Sequence, residues 1–345
     1  MDLTALHEIA ERMTAPGKGI LAADESTNTI KKRFDEIGLE STETTRRDYR
    51  EMLFRADDAM RNYISGVILF EETLYQNAAD SNATPLVALI ERSGAVPGIK
   101  VDKGTIPLPG FPGETITEGM DGLGARLDKD RERGARFAKW RAVIDIGDGI
   151  PTWGAVKANA HALARYAAIC QAHDIVPIVE PEVLMDGANG IARCEEVTRF
   201  VLKTVFQELF EQRVALEGMV LKPNMVVPGK QSGAQASIEE VAERTLTVLK
   251  DCTPASVPGI AFLSGGQDDE EATAHLDAMN RMGPLPWKLT FSYGRALQAA
   301  PLATWAGRYE NVPAAQRAFA HRARMNGLAA KGEWKAELES EKKAA

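Results

Sequence analysis

Lys222 stands in LEGMVLKPNMVVPG, directly after the apolar run Met219-Val220-Leu221 and directly before Pro223. The run reads as a buried strand, and the proline removes a ladder donor and ends it. A lysine there aims its amine at whatever site forms at the strand's end. Loss of water disfavours the ammonium and frees a neutral amine to attack a carbonyl. The plainer reading is a lysine whose stem packs while its head snorkels to water. A second feature favours chemistry. IVPIVEPEV carries Glu180 and Glu182 two apart in extended chain, so both face one side. Two carboxylates so close repel, and one can hold a proton near neutral pH and serve as an acid.

GILAADES sets Asp24 and Glu25 after another apolar run, with Ser26 opening the stretch TNTIKKRFDEIG. Asp24 or Ser26 would cap that helix. The functional alternative has Asp24 pointing inward as a base, with Ser26 and the helix N-terminus receiving an anion. Lys32 and Arg33, one turn on, would add charge to the same anion site. FLSGGQ offers Ser264, Gly265 and Gly266, and consecutive glycines let backbone N–H groups converge on a phosphate. FSYGRALQ repeats the device with Ser292, Gly294 and the charged grip of Arg295.

The elements that must position these residues recur along the whole chain. Short β-prone runs fall at 20–23, 64–70, 99–102, 142–146, 176–180, 219–222, 260–264 and 289–292. Helical stretches such as NAHALARYAAICQAH and SIEEVAERTLTVLK lie between them. Strand alternating with helix predicts right-handed crossovers and a parallel sheet, and eight such units predict a closed α/β (β/α)8 barrel. A doubly wound open sheet is the rival, but no GxGxxG follows the first run. In a barrel, chemistry sits where the strands end. Those ends are Asp24, Lys103, Glu180 with Glu182, Lys222, Ser264-Gly265-Gly266 and Ser292-Tyr293-Gly294-Arg295. FAKWRAVIDIG carries Lys139 and Arg141 ahead of the fourth run, so pattern alone puts Lys139 on the surface.

With 44% apolar residues the chain can bury a large core, and no linker divides it. One barrel domain is expected over 1–330, preceded by a short helix with Leu3, Leu6, Ile9, Ala10 and Met13 at helical spacing. Residues 331–345, dense in alternating charge, read as a mobile tail. A net charge of −8 argues against nucleic acid or an anionic membrane as partner. No apolar run reaches the length of a membrane span, and the N-terminus lacks a signal-peptide pattern. Cys170, Cys194 and Cys252 form no CxxC or disulfide framework, which fits a reducing cytoplasm. The five histidines are scattered, so no metal site is expected.

Taken together, GILAADEST, GVILFEETLYQ, GIKVDKG, FAKWR, VPIVEPE, LKPNMV, FLSGGQ and LTFSYGRALQ resemble class I, Schiff-base-forming fructose-bisphosphate aldolases, in that family's order. The resemblance implies a metal-independent barrel enzyme of glycolysis and gluconeogenesis, with no cofactor. It would cleave fructose 1,6-bisphosphate reversibly to dihydroxyacetone phosphate and glyceraldehyde 3-phosphate. Lys222 would form the imine, Glu180 would move protons during its formation, and Asp24 would deprotonate the C4 hydroxyl. The family also sets Lys139 inside the barrel beside the imine lysine, against the pattern reading. Ser264, Gly265, Gly294 and Arg295 match the grip on the C1 phosphate, with Ser292 close by. Ser26, Arg33 and Lys103 match contacts to the other end of the substrate, and Arg141 and Gly266 join the candidate phosphate contacts. Related enzymes are commonly tetramers, so a homo-oligomer is expected.

Two departures stand out. Thr29 replaces a serine of the animal members. The animal enzymes also end in a tyrosine that assists proton exchange, and this chain has none after Tyr309. Catalysis is therefore expected to be independent of 331–345. Other ketose phosphates fit the same residues, and a silent sugar-phosphate sensor would have lost Lys222, Glu180 or Asp24.

Overall fold

The computed structural model describes residues 1–343. Eight parallel strands close into a barrel: β1 (Gly19–Ala23), β2 (Ile64–Leu69), β3 (Val96–Lys100), β4 (Phe137–Ile144), β5 (Val176–Val183), β6 (Val220–Leu221), β7 (Gly259–Phe262) and β8 (Lys288–Tyr293). Each pairs with the next, and β8 returns to β1 with Ile20 opposite Ser292. Helices fill the crossovers. An antiparallel hairpin, Thr105–Pro107 with Thr115–Thr117, extends the loop after β3.

Side chains alternate between two cores. Ile20, Ala22, Ile68, Val96, Phe137 and Ala261 are among those filling the barrel interior. Leu21, Ala23, Val67, Leu69, Ala138 and Trp140 face outward against the helices. Helix Leu3–Met13 turns Leu6, Ala10 and Met13 into the barrel's lower end and closes it. Its predicted apolar stripe thus holds except at Leu3, which is exposed. Gly98 makes room for the Phe137 ring, since a Cβ there would overlap it.

Two strands begin earlier than expected. β4 starts at Phe137, not 142, and β3 at Val96, not 99. The cause is the same in both. Their first residues, Phe137-Ala-Lys-Trp-Arg and Val96-Pro-Gly, mix charge, proline and glycine into chain that barrel closure still pairs. Among the described residues, no helix is long and apolar enough to cross a membrane.

Helix Val312–Ala329 packs outside helix Arg295–Trp305. Of the charged segment 331–345, Ala336–Lys343 forms a 3-10 turn, and 344–345 lie outside the described residues. Glu339 there accepts from Arg322 at 2.6 and 2.7 Å and from Trp334 Nε1 at 3.0 Å, and lies 2.9 Å from His321 Nε2.

Candidate functional site

Strand alternation decides which side chains reach the barrel mouth. Ile20 and Ala22 point inward on β1, so Asp24 follows them at the rim. Phe137 points inward on β4, which carries Lys139 and Arg141 in with it. Val176 and Ile178 do the same for Glu180 and Glu182 on β5, and Val220 for Lys222 after β6. Lys139 is therefore 4% exposed, a correction of the surface reading drawn from pattern.

The result is a buried charge cluster. Lys139 Nζ lies 2.8 Å from Asp24 Oδ2, 3.5 Å from Glu180 Oε2 and 3.8 Å from Asp102 Oδ2. Lys222 Nζ, on a residue also 4% exposed, lies 3.2 Å from Glu180 Oε1. One layer above, Arg141 Nε bonds Glu182. Burial opposes charge on Asp24, yet Lys139, with help from Lys222 and Lys100, lowers its pKa to about 2. Burial likewise opposes charge on Glu180, but Lys222, Lys139 and Arg141 hold it below the usual carboxylate range. Lys139 is pushed above the ordinary lysine range: burial works against it and Asp24, Glu180 and Asp102 outweigh that.

Above the cluster opens a cavity of about 700 Å³, whose lining includes Arg33, Arg141, Glu182, Ser264, Gly266 and Arg295. Gly265 and Gly266 both take positive φ, 57° and 87°, in a turn that Gln267 N closes by donating to the Ser264 carbonyl at 2.9 Å. A Cβ on Gly266 would sit 2.5 Å from Lys230 Nζ and 3.1 Å from Arg295 Nη2, so two cations close over that glycine. Gly294 caps helix Arg295–Trp305, whose N-terminus opens on the same cavity. Ser292 Oγ is buried without a hydrogen-bond partner. Ser26 caps helix Thr27–Glu36, its Oγ accepting from Thr29 N at 3.4 Å, while Thr29, Lys32 and Arg33 line the cavity.

Lys103 does not join them. It is exposed, pairs with Glu71 at 3.0 Å and does not line the cavity. The cation on β3 that faces Asp24 is Lys100, 3.3 Å from Asp102. Because β3 ends at Lys100, alternation from Val96 through Gly98 turns Lys100 inward. Sequence reasoning also missed Asp102, Lys230 and the partners of Glu25. For Lys100 and Asp102 the signal was the strand period; for Lys230 it was only a lysine in a glycine-rich loop.

Comparison with known proteins agrees with this architecture. A family model described as "Glycolytic: Fructose-bisphosphate aldolase class-I" matches residues 5–345. A probable fructose-bisphosphate aldolase class 1 of Xanthomonas axonopodis pv. citri is 54% identical over 336 residues, 97% of this chain and 100% of that protein. Fructose-bisphosphate aldolase C of Rattus norvegicus is 53% identical over 330 residues, 95% of this chain and 90% of its own. The solved fructose-bisphosphate aldolase of Plasmodium falciparum, crystallised with TRAP and a small-molecule inhibitor, superposes with a TM-score of 0.93. It is 47% identical and the match covers 97% of this chain and 96% of that one. With its barrel, its buried lysine-carboxylate cluster and more than half its residues shared with two of these relatives, this chain belongs to the class I fructose-bisphosphate aldolase family.

Proposed function

We propose that the chain cleaves and re-forms fructose 1,6-bisphosphate through an imine on Lys222. The observation that carries this is Lys222 Nζ, buried at a strand end and 3.2 Å from Glu180 in a cluster with Lys139 and Asp24. Glu180, an ionised carboxylate, takes a proton from the Lys222 ammonium, and the neutral amine adds to the C2 carbonyl. Glu180 returns the proton to the departing hydroxyl, so water leaves and an iminium forms. Electrons of the C3–C4 bond then flow into that iminium while the C4 hydroxyl gives its proton to Asp24. Lys139 keeps Asp24 ionised and so able to accept that proton. Glyceraldehyde 3-phosphate departs, C3 of the enamine takes up the proton that Asp24 accepted, and hydrolysis of the resulting iminium frees dihydroxyacetone phosphate and Lys222. Lys139 contacts both Asp24 and Glu180 and offsets the repulsion between the two carboxylates.

Phosphate binding falls to the cavity rim. Ser264, Gly265, Gly266, Ser292, Gly294 and Arg295 suit one phosphate, with Lys230 added by its closeness to Gly266. Arg33 and Arg141 serve the other end, helped by Ser26, and Lys100 takes the part expected of Lys103. Glu182 orients Arg141. The enzyme is a carbon–carbon lyase acting on sugar phosphates. We assign it to the cytoplasm, in keeping with three free cysteines. We also assign it a homo-oligomeric state, with exposed Trp153 and Phe210 on neighbouring helices as contact candidates. Borohydride with dihydroxyacetone phosphate is expected to inactivate the enzyme and tag Lys222. A tag mapped by mass to Lys139 or Lys100 would overturn the assignment.

A further inference from the structure

Glu25 is a buried carboxylate that the reaction above does not use. It follows Asp24, but alternation turns it away from the mouth, in line with Leu21 and Ala23. It is 7% exposed and absent from the cavity lining. Three elements meet on it. Its Oε1 accepts from Gln298 Nε2 at 2.8 Å, on helix Arg295–Trp305, and from Arg33 Nη1 on helix Thr27–Glu36. Its main-chain carbonyl accepts from Arg50 Nη2 at 2.8 Å, and that nitrogen lies 3.8 Å from Oε2. Arg50 is 1% exposed on helix Glu43–Phe54, and Tyr49 beside it bonds Gln298 Oε1 at 3.2 Å.

Arg33 differs from Arg50 in having a free end. Its side chain is 21% exposed and lines the cavity. While Nη1 is held by Glu25, Nη2 lies 3.7 Å from where a Cβ on Gly294 would sit. A free arginine has many rotamers, and a phosphate binding it must order the guanidinium first. A buried carboxylate fixing one nitrogen of the fork removes most of that ordering cost and leaves the rest of the fork facing the ligand.

We infer that Glu25 is a positioning residue: anchored by Arg50 and Gln298, it aims Arg33 at a substrate phosphate. The inference rests on the reading of the cavity as a sugar-bisphosphate site. It acts on binding through one side chain, so its signature is a rise in KM that requires Arg33.

The test compares Glu25→Gln, Arg33→Ala and the double variant in steady-state cleavage of fructose 1,6-bisphosphate. Glu25→Gln is expected to raise KM about five- to tenfold with kcat within about twofold. The double variant is expected to be no worse than Arg33→Ala, because coupled residues are not additive. Glu25→Asp keeps the charge but withdraws it by one methylene, and should raise KM about threefold; it serves if Glu25→Gln does not fold. Multiplicative losses in the double variant would overturn the inference, since Glu25 would then act independently of Arg33. So would a fall in KM, which would mean that Glu25 holds Arg33 back from the ligand. A rise in KM for Arg33→Ala alone, with both Glu25 variants unchanged, sinks the inference and spares the functional reading. Absence of turnover by the unaltered enzyme sinks both.

Discussion

Two regions of this molecule bury charge, and they treat it differently. At the barrel mouth Lys139 is shared among Asp24, Glu180 and Asp102, and Lys222 pairs with Glu180. Several polar atoms there have no hydrogen-bond partner: Glu180 Oε2, Asp102 Oδ2 and Ser292 Oγ. At the C-terminal latch, both oxygens of Glu339 are taken by Arg322, with Trp334 and His321 completing the set. Arg322 Nη2 also donates to Thr273 Oγ1 at 2.7 Å and to the Asp269 carbonyl at 3.0 Å. A buried pair with both carboxylate oxygens bonded contributes fixed geometry, although Arg322 Nε has no partner among the described residues. A cluster with bonds left unmade gives up stability and keeps capacity for a substrate.

That contrast can be broken at either end. Replacing Lys222 by Met should abolish turnover, by roughly 10³-fold or more, the scale on which loss of a nucleophile falls. The loss should fall on turnover, since Lys139 still pairs with Glu180 at 3.5 Å. Turnover within tenfold of the unaltered enzyme would make the mouth a structural cluster like the latch. Glu339→Ala should do the reverse. Stranding Arg322, 3% exposed, costs about 3–5 kcal/mol in urea unfolding, with kcat within about twofold. A chain ending at Ala330 should behave alike, since Glu339 and its bonds to Arg322 are removed with the segment. A selective loss of tritium exchange into dihydroxyacetone phosphate, with folding intact, would place the latch in catalysis.

Acid sharpens the comparison further. Asp24 has a folded pKa near 2 against a reference of 3.8. A depressed carboxylate contributes stability above its unfolded pKa and loses it as pH falls through the folded one. Between about pH 4 and pH 2 this term should remove about 2 kcal/mol, and Asp24→Asn should lack the step. A stability curve of Asp24→Asn that parallels the unaltered enzyme would show that the Lys139 contact does not hold this carboxylate. The smallest effect is expected at the rim. Arg295 is exposed, and Arg295→Ala should raise KM about tenfold, near 1.5 kcal/mol for a charge-assisted contact. Unchanged kinetics would remove Arg295 from phosphate binding.

Where the sequence was read well, local pattern and final geometry obey the same rule. Lys222 after its apolar run and Glu180 with Glu182 two apart are strand-end features, and strand period turns all three to one side. The surface reading of Lys139 from pattern and the placing of Lys103 went astray because their strands were begun or ended in the wrong place. A strand taken to run to 102 put exposed Lys103 at its end, whereas β3 ends at Lys100, which alternation from Val96 turns inward. The error arose at Pro97-Gly98 and at Lys139-Trp140-Arg141, where local composition disfavours a strand.

The repeating strand–helix order, the lysine and carboxylates near strand ends, and the glycines after β7 and β8 can all be read from the sequence. These are local properties of spacing and side-chain type. Tertiary structure alone decided that Lys139 meets Asp24, that Lys230 closes over Gly266, and that Glu25 joins Arg33 to Arg50 across three helices. It also decided that Glu339 meets Arg322. Such contacts join elements that no short pattern links. They exist because barrel closure fixes register around the whole ring, and register turns strands and helices far apart in sequence into neighbours at one rim.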